Sequence, residues 1–108
     1  KVLVKDSETL ELKPGDFVLG ITKERIALPG DVCGHIEGRS RFARVGLLVH
    51  ISSALIQPGV DNVQVLEIAN LSPYTLKLKP GTKVCQVILQ EVKGNSKYKG
   101  RYGKQKKL

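Results

Sequence analysis

The chain has 108 residues, 41% of them hydrophobic, with 18 Lys and Arg against 10 Asp and Glu for a net charge of +8. One domain of this size can bury one core and gains from oligomerisation. The hydrophobic share excludes wholesale disorder, no apolar run approaches the ~20 residues of a membrane span, and no signal-peptide segment opens the chain. The charge is unevenly placed. Residues 93–108 hold seven Lys and Arg and no acid, leaving residues 1–92 with 11 basic against 10 acidic side chains. A basic tail suits nucleic acid, a membrane surface or a nucleotide's phosphates, and composition does not choose among them. The chain begins at Lys1 without a methionine and closes on a lysine-rich run, as expected of a fragment. Cys33 and Cys85 stand alone in apolar settings without a CxxC spacing. They read as reduced, buried thiols of a cytoplasmic protein, and neither a disulfide nor a zinc site is expected.

Four of the five prolines precede a glycine, at Pro14-Gly15, Pro29-Gly30, Pro58-Gly59 and Pro80-Gly81. Proline presets φ for the second position of a type II turn and glycine takes the positive φ of the third, so each pair marks a break between strands. The segments between are short and β-branched. Strands are expected at 17–21, 25–28, 32–37, 46–51, 63–69, 74–78 and 83–92. No window sustains a 3.6-residue apolar period, and one helical turn at 40–45 is the exception. Many short strands with regular turns argue for an all-β barrel or sandwich. The units are too unlike one another for a solenoid. Past Val92 the apolar pattern gives way to Gly, Lys, Tyr and Asn, so 93–108 reads as a flexible arm.

The segment from Glu37 to Gly46 carries the most chemistry. Gly38 lets the backbone turn close to a ligand, Arg39 and Arg41 offer forked donors for phosphate oxygens, and Ser40 adds a hydroxyl. A helical turn at 40–45 would aim further N–H groups at the same anion. No Walker loop is present, and a basic surface turn is the alternative reading. His35 and His50 lack a third ligand type nearby and read as structural or interface residues. Ser52-Ser53 is either a bulge or a turn. No nucleophile elbow supports a serine hydrolase. Glu67 lies in Val63-Gln64-Val65-Leu66-Glu67-Ile68-Ala69, on the face with Val63, Val65 and Ala69. Lost solvation there would raise its pKa and suit it to carrying protons, whereas a strand glutamate facing solvent or paired to a cation is the alternative.

The ordered series Gly38-Arg39-Ser40, Arg44-Val45-Gly46-Leu47, Ile56-Gln57-Pro58-Gly59, Leu66-Glu67-Ile68-Ala69-Asn70 and Pro80-Gly81-Thr82-Lys83-Val84-Cys85-Gln86 resembles the dCTP deaminase branch of the dUTPase fold. Phe17-Val18-Leu19-Gly20, Leu28-Pro29-Gly30-Asp31 and the tail from Tyr98 to Gln105 look like the same family, so the likeness covers roughly residues 12–105. It implies a distorted β-barrel over 1–92, assembled as a homotrimer with shared active sites, and an arm at 93–108 that closes over the triphosphate. It implies zinc-independent deamination of dCTP to dUTP and ammonia by water attack at cytosine C4. Magnesium would be carried on the triphosphate, and dTTP is a candidate inhibitor. Residue by residue, Glu67 would shuttle protons. Ser40 and Arg44 would hold the water and the tetrahedral centre, with a backbone carbonyl near Ser53. Arg39, Ser40, Arg41, Arg101 and Gln105 would meet phosphates, and Gln57, Val60 and Ser53 would line the sugar and base pocket.

Four positions depart from the family pattern. Gln57 replaces an aspartate that contacts the sugar 3′-hydroxyl and helps dUTPases to activate water, so it can hydrogen-bond but not act as a base. Val60 replaces an aromatic residue that packs on the deoxyribose, and Asn62 stands at a common glycine. In the cradle, Arg41 replaces a serine or glycine. Deamination is therefore favoured over dUTP diphosphatase or bifunctional deaminase–diphosphatase activity. A non-catalytic nucleotide-binding regulator on the same fold is a further reading. Nucleic-acid binding ranks last, because only Tyr98 and Tyr102 could stack bases in the arm.

Overall fold

The computed structural model describes residues 8–107, which form eight strands and one helical turn. In chain order these are β1 (Leu10–Leu12), β2 (Phe17–Ala27), β3 (Val32–Gly38), α1 (Ser40–Ala43), β4 (Leu47–Val49), β5 (Leu55–Ile56), β6 (Asp61–Asn70), β7 (Leu76–Leu78) and β8 (Cys85–Glu91). All pairings are antiparallel and fall into three small sheets, β1-β7, β2-β6-β4 and β5-β3-β8. Their inner faces close on one core of Leu12, Ile36, Leu47, Val49, Ile56, Val60, Leu66 and Ile68. This is the all-β architecture expected, with α1 as its single helical turn. No helix among the described residues is long and apolar enough to cross a membrane.

The turns explain the strand ends. Asp16 N–H donates to Lys13 O at 3.0 Å, Val60 N–H to Gln57 O at 3.3 Å and Thr82 N–H to Lys79 O at 3.1 Å, each closing over a Pro-Gly pair. Their glycines have φ of 80–90°, the geometry a type II turn requires. The fourth pair differs. Val32 N–H reaches Pro29 O at 3.3 Å, so Pro29 takes the first position of its turn and Gly30 has no positive φ.

Segments 17–21 and 25–28, expected as two strands, are one. Opposite Gln64 of β6, β2 carries an insertion between Ile21 and Arg25. Thr22 closes it, its Oγ accepting from Gln64 N–H at 2.9 Å and donating to Glu24 O at 2.8 Å. β1 and β5, three and two residues long, are too short to register as alternation. Gly46 precedes β4 instead of joining it, because its φ of 90° is outside the strand region. A Cβ there would also stand 2.8 Å from Ser72 N and Cβ.

Both cysteines are free, but only Cys33 is buried and Cys85 is half-buried. Cys33 pairs with Gln90 and Cys85 with Gly38 along the β3–β8 ladder. Those sites lie five residues apart on β3, roughly 17 Å at strand rise and beyond the ~7 Å reach of a disulfide. Burial, with a smaller contribution from the Glu24 carboxylate, pushes the Cys85 thiol up from its usual range.

Asn70, fully buried at the end of β6, has every polar atom engaged. Its Nδ2 donates to Leu12 O at 2.9 Å and Tyr74 O at 2.7 Å. Its Oδ1 accepts from Ser72 N–H at 2.8 Å and Ser72 Oγ at 2.7 Å. Asn70→Ala strands the Leu12 and Tyr74 carbonyls and opens a cavity. The expected cost is about 2–4 kcal/mol, read as a fall in the urea midpoint. An unchanged midpoint would show that the knot carries no net stability.

Candidate active site

β3 ends at Gly38 and the chain turns at once into α1. Phe42 and Ala43 N–H groups both donate to Arg39 O at 3.0 Å, and Arg44 N–H donates to Ser40 O at 2.9 Å. Phe42 packs against the core and pins the turn. The Arg39 and Arg41 guanidiniums lie 5.9 and 5.4 Å from the Phe42 ring centroid, within cation–π range. Arg39 Nη1 also donates to Lys83 O at 2.6 Å, which fixes its direction. Ser40, Arg41 and Arg44 are exposed. A single apolar anchor therefore presents a cluster of cations and a hydroxyl on one short turn.

β4 leads to His50 and a loop that wraps Glu67. His50 N–H donates to Glu67 O at 2.7 Å, and Glu67 N–H donates to His50 Nδ1 at 3.4 Å. Nδ1 is thus the acceptor, leaving Nε2–H to donate to Ser53 O at 3.1 Å. Ser52 N–H reaches Glu67 Oε1 at 2.7 Å and its hydroxyl reaches the same oxygen at 3.4 Å. Oε2 has no hydrogen bond among the described residues. His50 and Ser53 have φ of 67° and 54°, the only positive values at non-glycine residues described. Such backbone, held in place by its surroundings, concentrates at functional sites.

Glu67 has the parity expected, with the core side of β6 taken by Leu66, Ile68 and Asn70. It is half-buried and gripped by Ser52, not desolvated in an apolar strand. Its outer face is apolar: Phe17, Leu19 and Ile21 lie opposite Ala69, Glu67 and Val65 and are 58%, 51% and 38% exposed.

The 57–60 turn and the C-terminal arm make a third cluster. Gln57 is exposed at the turn, whereas Val60 is 5% exposed and belongs to the core. Tyr98 N–H donates to Pro58 O at 2.9 Å and Val63 N–H to Gln105 O at 3.2 Å, so the arm lies along this turn and β6. Arg101 is exposed, 5.7 Å from the Tyr102 ring centroid. Between arm and turn is a cavity of about 470 Å³, lined in part by Pro29, Gly30, Val60, Asn95 and Lys97. A second, of about 220 Å³, has Gly38 and Ala43 together with His50 and Ile51 in its wall.

One chain thus brings Glu67 and Ser53 to one loop and the Arg39–Arg44 set to one turn, whereas Gln57 and Val60 share a turn and Gln105 bonds Val63 of β6. Among the described residues, no hydrogen bond or ion pair joins Glu67 to Ser40 or Arg44. The roles of His50 and Ser52 around Glu67 were not read from sequence. The undecided Ser52-Ser53 pair was the one signal that marked them.

A family model described as dCTP deaminase-like matches residues 1–92. The chain is 38% identical over 112 residues to a dCTP deaminase of Natronomonas pharaonis, covering 94% of this chain and 57% of that protein. It is 44% identical over 86 residues to a dCTP deaminase of Rhodospirillum rubrum, covering 80% and 44%. A "dCTP deaminase, dUMP-forming" of Pseudarthrobacter chlorophenolicus is 36% identical over 105 residues, covering 94% and 55%. The chain spans about half the length of these curated relatives. Among solved structures, the native EIAV dUTPase superposes with a TM-score of 0.68 at 22% identity, covering 89% of this chain and 86% of that one, which shows the shared fold.

The positive φ at Ser53 separates two substitutions. Ser53→Gly should keep the wild-type urea midpoint, while Ser53→Val should lose about 1–2 kcal/mol, since a β-branched side chain is strained there. Equal midpoints would mean that the loop relaxes freely and does not hold Glu67 in one geometry.

Proposed function

The chain belongs to the dCTP deaminase-like family, and from that premise we propose that it carries out hydrolytic deamination of dCTP to dUTP and ammonia. The observation that supports this most is the carboxylate of Glu67, oriented through Oε1 by Ser52 while Oε2 has no hydrogen bond among the described residues. In the proposed reaction Glu67 takes a proton from water as its oxygen bonds to cytosine C4. It then delivers that proton to the ring nitrogen N3, takes the second proton from the new C4 hydroxyl and passes it to the exocyclic amine; the C4–N bond breaks, C4=O forms and ammonia leaves. Ser40 and Arg44 hold the attacking water and the developing charge, with the Ser53 carbonyl, itself fixed by His50, on the other side.

A homotrimer in which one subunit's α1 turn faces another's β6 would bring Ser40 and Arg44 to a Glu67 carboxylate. The apolar surface of Phe17, Leu19 and Ile21 beside Glu67 is the face such an assembly would cover. Arg39 and Arg41, with Arg101 and Gln105 of the arm, are assigned to the triphosphate, and Gln57 to the sugar. The phosphate-side donors are cationic, and no group of three or more His, Cys, Asp or Glu among the described residues could hold an ion. That donor set fits a magnesium ion carried by the nucleotide, where it would neutralise phosphate charge. Two free thiols support a cytoplasmic setting.

A second reading, deamination followed by diphosphate release, has support from the relatives named as dUMP-forming. Incubation with dCTP and separately dUTP, with magnesium and chromatographic product analysis, distinguishes the two. dUTP as the sole product from dCTP supports the deaminase alone. dUMP and pyrophosphate would show that water activation survives Gln57 and would replace that reading with the bifunctional one. Glu67→Gln should lower kcat for dCTP about 10²–10⁴-fold with nucleotide affinity retained. Turnover at the wild-type rate in that variant would remove Glu67 from the chemistry.

A further inference from the structure

Asn62 is 5% exposed and one of two buried polar side chains among the described residues. Its Nδ2 donates to Tyr102 O at 2.6 Å and its Oδ1 accepts from Gln64 Nε2 at 2.6 Å. The next residue pairs with the same arm segment: Val63 N–H donates to Gln105 O at 3.2 Å, and Gln105 Nε2 returns a bond to Val63 O at 3.1 Å. Upstream, Tyr98 N–H donates to Pro58 O at 2.9 Å and Ser96 N–H to Gly30 O at 2.8 Å. Two glycines make room for this path. A Cβ on Gly59 would lie 2.7 Å from Lys97 Cα, and one on Gly30 would meet Asn95. All these bonds run through backbone or carboxamide groups. The side chains of Lys97, Lys99, Arg101 and Lys104 stay exposed along the docked arm.

We propose that Asn62 is a positioning residue that latches the C-terminal arm onto the start of β6 in its own subunit. Docking and charge are thereby separated: carboxamide and backbone groups hold the arm, and the arm's cations stay exposed for phosphate. The ligand in this inference rests on the function proposed above, but the latch itself does not.

Asn62→Asp keeps the size of the side chain and removes the donor to Tyr102 O. The test measures amide hydrogen exchange by NMR and trypsin cleavage after Lys99 and Arg101, on the full chain without ligand. In the variant, Val63 N–H should exchange at least tenfold faster and the arm should be cut severalfold faster, with the β3–β8 ladder amides unchanged. KM for dCTP should rise severalfold with kcat retained. Asn62→Gly, which supplies the glycine common at this position in the family, is the second variant if the aspartate does not fold, and the same changes are expected of it. Unchanged Val63 exchange and arm cleavage in a folded variant would overturn the latch. Faster exchange and cleavage in a protein that processes neither dCTP nor dUTP would uphold the latch and remove the deaminase reading.

Discussion

The carboxamide of Asn70 ties together parts of the chain that share no sheet. Through Nδ2 it binds the end of β1 and the turn that leads to β7, and through Oδ1 it shapes that turn at Ser72. Its backbone joins the knot as well, with Gly15 N–H donating to Asn70 O at 2.9 Å and Asn70 N–H to Asp16 O at 3.1 Å. A buried amide with all its bonds made is a strong constraint, because any displacement leaves several groups unpaired without water to replace them. What it constrains is register. Asn70 stands opposite Leu47, so fixing it fixes β6 against β4 and brings His50, just past β4, to the Glu67 carbonyl. A one-residue slip of β6 would send Glu67 into the core and Leu66 out of it.

Much of this was legible because it rests on local rules. Three Pro-Gly pairs form the turns their φ preferences dictate, and the strands between them fall where β-branched residues cluster. The parity of Glu67 follows from simple alternation in a long strand. What could not be read depends on contacts distant in sequence. Pro29-Gly30 has the same dipeptide as the other three but a different turn. At this glycine the arm comes within contact range, so close packing and not backbone handedness governs the position. The insertion in β2 is stabilised by Thr22, which nothing in the local pattern marks as a bridge to Gln64. The grip on Glu67 comes from Ser52 and His50, fifteen and seventeen positions earlier, in a loop where His50 and Ser53 are left-handed without glycine, a conformation sequence propensity disfavours.

The location of Glu67 has an electrostatic consequence. On the outer face of β6 its carboxylate is only half-buried, and a proton carrier for water attack gains most from a site closed to bulk solvent. One chain does not supply that closure on this face, since Leu19 directly opposite is half exposed, with Phe17 and Ile21 on either side. Covering those three side chains would remove apolar area from water and surround the carboxylate in the same step. Assembly and chemistry would then draw on one surface.

The segment from Gln57 to Asn62 gathers three of the four positions that depart from the family pattern, and the structure relates two of them. Val60 is packed into the core with Ile56. Two residues on, at the same strand parity, Asn62 is also buried but spends both polar ends on Gln64 and the arm. A glycine at 62 would leave the Tyr102 carbonyl without that donor, and a Cβ at Gly59 would push Lys97 away. The segment is therefore shaped toward its own arm: Gly30, Pro58, Asn62 and Val63 each hold a residue between Ser96 and Gln105.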